Sequence, residues 1–345
     1  MKNDMFLTFH KARSRYLSSY KDEIHPFCSL HRLAYAIGMT YNELPDVFVE
    51  LTEQKVREIQ KSVKDGTYTL SPLLLRAFAR KGDQKPGFFH TFPAKDESNL
   101  YLGINPTLED SLVLTALGRM LNLHFLRVNL FTDKSFGLRT TPNAFYSTVC
   151  ARGKVLRLYK CDLTISLRTI NRESLLLNLS HIVKDGAIIE FVDKFLSVPI
   201  LDQSGRDFTA EMGCSIPTVG LLTHVLLNFA LTEFDKEFQR AFPGVDYSRY
   251  IHEVFLSCPK ISTSNTCSSK QGKTLESEAM QLSLESEAMQ LSFFDEQQVL
   301  SLLDQLHLAG KILSIGPGDA PVPCYGGLVC VSQDGKIKVK EKILD

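Results

Sequence analysis

The 345-residue sequence has no run of about eighteen uninterrupted apolar residues, the length a bilayer demands of a spanning helix. Its longest apolar stretch, residues 219–231, is broken by Thr223, His224 and Asn228, so no membrane partner is expected. CxxC pairs and Cys/His clusters at zinc spacing are also missing. The eight cysteines, Cys28, Cys150, Cys161, Cys214, Cys258, Cys267, Cys324 and Cys330, are scattered, which reads as free thiols in a reducing compartment and no metal site. Cationic excess is lacking too: 39 Lys plus Arg balance 39 Asp plus Glu, an average that argues against phosphate binding. Residues 1–44 carry Lys2, Lys11, Arg13, Arg15, Lys21 and Arg32 but also Asp4, Asp22, Glu23 and Glu43, a poor transit peptide.

What is present is a 44% hydrophobic chain, enough for two or three packed subdomains. Its charge is unevenly spread. Over 55–95, Lys55, Arg57, Lys61, Lys64, Arg76, Arg80, Lys81, Lys85 and Lys95 meet only Glu58, Asp65 and Asp83; over 134–172, Lys134, Arg139, Arg152, Lys154, Arg157, Lys160, Arg168 and Arg172 meet only Asp162. Acid gathers at 276–304. One part of the molecule can therefore present a positive field that the sum conceals, although each segment alone also reads as a solvated charged face.

Apolar spacing predicts a helix over 51–63 stopped by Asp65-Gly66, then an alternating strand over 67–72 ending at Pro72. Thr107 is placed to cap a helix whose apolar stripe runs over 112–123. Residues 135–139 read as a loop with a flexible glycine, 155–163 as a strand with Asp162 near its end, 172–181, 187–196 and 221–238 as helices, and 250–257 as a strand. A polar linker over 259–273 precedes a tandem nonapeptide, LESEAMQLS at 275–283 and again at 284–292, too short for a solenoid and read as a tolerated insertion. A short amphipathic helix is expected over 296–308.

Several blocks then resemble group II intron-encoded reverse transcriptases and maturases, in the family's order. IQKSVKDGTYTLSP (59–72) resembles the segment opening their fingers. LGINPTLEDSLVL (102–114) is similar to LGIPTLEDRLVQ, with Asn105 inserted and Ser111 for arginine. SFGLR (135–139) is similar to S-x-GFRP, with Thr140 at the proline. KCDL (160–163) resembles the first palm motif, whose Asp holds magnesium. PTVGLLTHVLLN (217–228) resembles PQGGILSPLLAN, and RYIHEVF (249–255) falls where RYADDF belongs. The resemblance implies an α+β fold with right-hand polymerase-like fingers and palm. It assigns 1–50 to a helical N-terminal extension, 51–148 to fingers, 149–258 to palm, 259–292 to the linker with the repeat, and 293–345 to a small, truncated thumb-like C-terminus.

The departures carry the functional reading. Asp162 survives, but His252 and Glu253 stand at the place of the Asp pair; imidazole is a poor magnesium ligand and Glu253 moves its oxygens by a methylene. Thr218 and Val219 replace the Gln and Gly beside the nascent base pair. The bland alternatives are a capping carboxylate for Asp162 and a satisfied half-buried histidine for His252. The expectation is an intron maturase-like RNA-binding protein that assists group II intron splicing without polymerase activity. It needs no cofactor, with magnesium relevant only if polymerization persists, and takes intron RNA rather than a small molecule as its partner. RNA would be held by Lys61, Lys64, Arg76, Arg80, Lys81, Lys85, Arg139, Arg152, Lys154 and Arg157. Phe88, Phe89, His90 and Phe92 would either stack on bases or form a buried cluster. Alternatives are an RNA-directed DNA polymerase with residual activity and a decaying intron reading frame without function. No His-Asn-His or Cys-rich endonuclease pattern follows. The family resemblance implies an organelle, mitochondrion or chloroplast.

Overall fold

The computed structural model describes residues 27–79, 92–93, 100–259, 296–306, 308–324 and 327–341. The start of the N-terminal extension, Arg80, Lys81, Lys85, the Phe88–His90 aromatic group, most of the linker and the tandem repeat lie outside the described residues. The chain is mixed α and β and divides into two compact units, residues 1–131 with 167–232 and residues 132–166 with 233–345. The units thus interleave along the chain.

In the first unit, α1 (Leu30–Glu43) packs against α2 (Glu53–Lys64), and Gln60 Nε2 donates to the Ala34 carbonyl at 2.8 Å. Thr52 caps α2, Val56, Ile59 and Val63 are buried, and Gly66 at φ +72° ends it, as the spacing predicts. Residues 67–72 form no strand. The alternation there serves a crossing segment pinned to a buried carboxylate: Asp110 accepts from Tyr68 Oη at 2.8 Å, from Ser71 N at 3.1 Å and from Thr107 Oγ1 at 2.7 Å. The strand comes next, β1 (Leu73–Ala79), in a sheet ordered β2-β3-β1-β5 with β2 (Phe92–Pro93), β3 (Leu100–Asn105) and β5 (Ile200–Leu201). Thr107 caps the long helix α3 (Leu108–Arg127), most of it buried.

The other helices in chain order are α4 (Pro142–Cys150), α5 (Ser166–Thr169), α6 (Arg172–Ile182), α7 (Gly186–Leu196), α8 (Thr209–Met212), α9 (Gly220–Ala230), α10 (Thr232–Ala241) and α11 (Glu296–Gln305). The single helix expected over 221–238 is two, α9 and α10, parted at Leu231.

The second unit is built on β4 (Val155–Asp162), a hairpin of β6 (Asp246–Tyr250) and β7 (Glu253–Pro259), and β8 (Lys311–Ile315). All neighbours pair antiparallel in the order β6-β7-β4-β8, which with α10 and α11 gives the split β-α-β-β-α-β arrangement. Two expectations change here. The strand over 250–257 is interrupted by the hairpin turn at Ile251-His252, which lacks the Gly or Asn that signals such turns. Residues 296–315, assigned to a thumb-like end, supply α11 and β8, and β8 completes this sheet beside β4. A smaller sheet orders β11-β10-β9, from β9 (Val322–Cys324), β10 (Gly327–Val331) and β11 (Ile337–Glu341). Phe145 of α4 centres the aromatic core, its ring 5.2–5.8 Å from those of Phe136, Tyr146, Tyr250 and Phe255.

Candidate functional site

β4 and β7 run side by side in a register that sets Asp162 directly opposite Glu253, and β8 sets Lys311 opposite Asp162 on the other flank. Directly paired residues share a face of a sheet, and so do residues two apart on a strand. Lys160, Asp162, Glu253 and Lys311 therefore crowd one face at the sheet's end. Leu163 N donating to the His252 carbonyl at 2.8 Å ties the hairpin turn to the end of β4.

Within this cluster Glu253 is committed. Lys160 Nζ lies 2.8 Å from Glu253 Oε1, both side chains are buried at 8% and 5% exposure, and Tyr146 Oη donates to Oε2 at 3.1 Å. Lys160 Nζ also donates to the Pro323 carbonyl at 2.8 Å. Burial, then the Glu253 charge, pushes the Tyr146 phenol well above its usual range, so it stays a donor. Asp162 is half-buried and its Oδ1 accepts from Thr164 N at 2.9 Å and from Thr164 Oγ1 at 2.5 Å, an Asx turn that closes the strand. Burial pushes its carboxyl up, but the His252 charge, the Thr164 bonds and Lys160 outweigh that and hold it below the ordinary 3.8.

A carboxylate depressed in the folded state contributes stability above its ordinary pKa and loses it as pH falls through the folded value. Asp162→Asn is therefore expected to lower thermal stability at about pH 7, with the gap to the parent closing as pH drops below about 4, read by melting curves across pH. A gap that persists unchanged into acid would refute the ionised Asp162.

The hairpin that carries His252 and Glu253 is itself held by a buried network centred on Arg249. Arg249 and Asp235 form a fully buried ion pair, 0% exposed on both sides, with Arg249 Nε 2.6 Å from Asp235 Oδ1 and a second bond from Nη2 to Oδ2. Arg249 Nη1 donates to the Ile251 carbonyl at 2.6 Å, Nη2 donates to Ser135 Oγ at 3.0 Å, and Tyr247 Oη donates to Asp235. Burial alone would depress Arg249, but Asp235 more than reverses this and holds its pKa above the usual arginine range. SFGLR thus has a structural use here: Phe136 N donates to the Arg249 carbonyl at 2.8 Å, and Gly137 faces the Ile251 backbone. That glycine is needed for close approach, not for flexibility.

The residues expected to hold RNA divide. Lys61, Lys64 and Arg76 are exposed on the first unit, and Lys154 and Arg157 on the second, where Arg157 Nη1 donates to Ser314 Oγ at 2.9 Å. Arg139 is turned inward, its Nη1 donating to the carbonyls of Thr132 at 2.6 Å and Ser135 at 3.1 Å. Arg152 donates to the carbonyls of Asp246 at 3.1 Å and Phe255 at 3.2 Å and to the hydroxyls of Ser248 at 2.6 Å and Ser257 at 3.1 Å. Burial lowers the Arg152 pKa to about 10 despite Asp246. Both arginines bind their own fold through these bonds, whereas the five others named are exposed. Thr218 and Val219 are buried in the first unit, and Thr223 Oγ1 accepts from Val219 N at 2.8 Å. Cys161 is buried, and among the described residues no three of His, Cys, Asp or Glu are grouped to hold a metal ion.

Sequence reasoning did not place Lys336 and Lys338 near Lys154. Lys154 forms an antiparallel bridge with Lys336, and Lys336 and Lys338 are exposed on one face of β11 or its approach. Among the described residues Lys336 has Asp334 as its counter-charge, at 3.8 Å and itself half exposed. The alternation Lys336, Ile337, Lys338 was a readable signal.

No family model matches the sequence. Over 150 residues the chain is 28% identical to a 39 kDa protein in mitochondrial S-1 and S-2 DNA of Zea mays, a match spanning 43% of this chain and 43% of that protein. Among solved structures, apo telomerase from Candida tropicalis truncated from its C-terminal domain is similar with a TM-score of 0.40 and 12% identity, over 66% of this chain and 45% of its own. The apo telomerase without that truncation gives a TM-score of 0.43 and 10% identity, over 84% and 54%. The chain therefore spans about half, or less, of each of these proteins.

Proposed function

We propose that the chain is an intron maturase-like RNA-binding protein, a polymerase-like scaffold that assists group II intron splicing without polymerase chemistry. The observation that carries the binding is the lysine bridge. Like charges set directly opposite each other across paired strands destabilise the pairing. Lys154 and Lys336 are opposed in an isolated bridge just before β4 and β11, both exposed, and Arg157 of β4 and Lys338 of β11 are exposed as well. A phosphate backbone between them turns that repulsion into attraction and releases its counterions. Lys61, Lys64 and Arg76 offer the first unit's share of such contacts. The palm reading draws on Asp162 opposite Glu253 at the ends of adjacent strands, with His252 in the turn where that family carries an aspartate. Binding that favours the active RNA fold over misfolded forms would promote splicing in proportion to the difference in affinity. The Zea mays relative, named for mitochondrial DNA, favours the mitochondrion over the plastid.

Retention of the full chain on a structured group II intron RNA, measured as salt is raised, tests this reading. Steep loss with salt is expected, and Lys154→Glu with Lys336→Glu should make the log-log slope shallower by about 0.7–0.9 per phosphate contact removed. Absence of retention at low salt would sink the reading. A residual polymerase is the competing possibility, favoured by the ionised Asp162. Primer extension abolished by Asp162→Ala would establish it instead.

A further inference from the structure

We propose that the Lys160 ammonium is a built-in replacement for a divalent cation, joining the Asp162 and Glu253 side of the sheet without metal. Two carboxylates opposed on neighbouring strands repel each other and need a compensating positive charge. A polymerase-type site meets that need with magnesium, which requires hard oxygen ligands in near-octahedral geometry. Here the requirement is met from within the chain. Lys160 stands one strand period before Asp162, on the same face, and its Nζ is 2.8 Å from Glu253 Oε1 and 2.8 Å from the Pro323 carbonyl.

Tyr146 occupies the other oxygen of Glu253, and Thr164 donates twice to one oxygen of Asp162. Lys311 opposite Asp162 adds a further cation to the same face. A magnesium ion would have to share Glu253 with an ammonium already in contact, at low exposure, where like charges are poorly screened. The donor set therefore does not fit that ion. What it fits is a fixed Lys-Glu pair whose hydrogen bonds to Tyr146 and Pro323 satisfy the remaining polar groups, as a buried pair requires.

This inference rests on the sheet end alone and is independent of RNA binding, so retention on RNA is not its readout. Manganese is the probe, followed by electron paramagnetic resonance on the full chain. The parent protein should show no manganese binding that Asp162→Asn removes, and its melting temperature should be the same in chelator and in magnesium. Lys160→Met, which keeps the stem and deletes the charge, should gain at least about tenfold in manganese affinity, lost again on adding Asp162→Asn. Asp162-dependent manganese binding by the parent, or no gain in a folded Lys160→Met protein, overturns the proposal. Should Lys160→Met not fold, adding Glu253→Gln decides: recovered folding supports charge compensation as the role of Lys160, and continued failure overturns it.

Discussion

Replacing Arg249 with alanine is expected to lower the stability of the second unit by about 3–5 kcal/mol, the cost of leaving one member of a buried ion pair alone. Asp235 would be left at 0% exposure without its guanidinium partner, beside the Tyr247 hydroxyl. The Ile251 carbonyl and Ser135 would lose their donors as well. Asp235→Ala should cost a similar amount, because the guanidinium is then stranded. Arg249→Met with Asp235→Leu removes both charges and should recover much of the loss, since well-packed apolar side chains often match or exceed a buried pair. Urea denaturation of the four proteins reads this directly. A loss below about 1 kcal/mol for Arg249→Ala would mean that water reaches the pair and the buried network is not as described. The prediction has a functional edge too. Arg249 fixes the turn that presents His252 and Glu253, so its loss should disorder the end of the sheet before it unfolds the rest.

These energies also explain what could be read from the sequence. Elements whose stability is local were legible: α2 with Thr52 at its start and Gly66 at its end, and α3 capped by Thr107, follow from side chains three residues apart. Segment 67–72 was not, because its alternating side chains answer to Asp110, some forty positions away, rather than to a neighbouring strand. The hairpin turn at Ile251-His252 hid behind a β-branched residue at φ +56°, a conformation that isoleucine rarely adopts and that only its surroundings enforce. Asp162 and the His252-Glu253 turn were found through family order. Lys160 was visible by strand period and overlooked, and Lys311 had no sequence signal, because its place depends on the pairing of β8 with β4 across a long separation. Asp235 reads as one more charge on a polar helix until the fold brings it to Arg249.

The same hairpin gives the second large effect, at Gly137. A Cβ added there would lie 2.5 Å from Ile251 N, 2.9 Å from Ile251 Cγ1 and 3.0 Å from Ile251 Cα. Two of those three atoms are backbone and cannot rotate aside. The loop cannot retreat easily either, since just before the glycine Phe136 N donates to the Arg249 carbonyl at 2.8 Å and Arg249 N donates to the Lys134 carbonyl at 2.9 Å. Gly137→Ala is therefore expected to cost about 1–3 kcal/mol or more through overpacking, with the strain delivered to the turn bearing His252. Gly186→Ala is the matched control. Nothing lies within 4 Å of its added carbon, it opens α7, and it should be neutral or stabilise by up to about 1 kcal/mol through the unfolded chain. Combined with Arg249→Ala, Gly137→Ala should cost less than the sum, because both act on one turn that the first change has already loosened. Full additivity in urea melts would separate the glycine from the ion-pair network and leave the close approach at Ile251 without a role in holding the site.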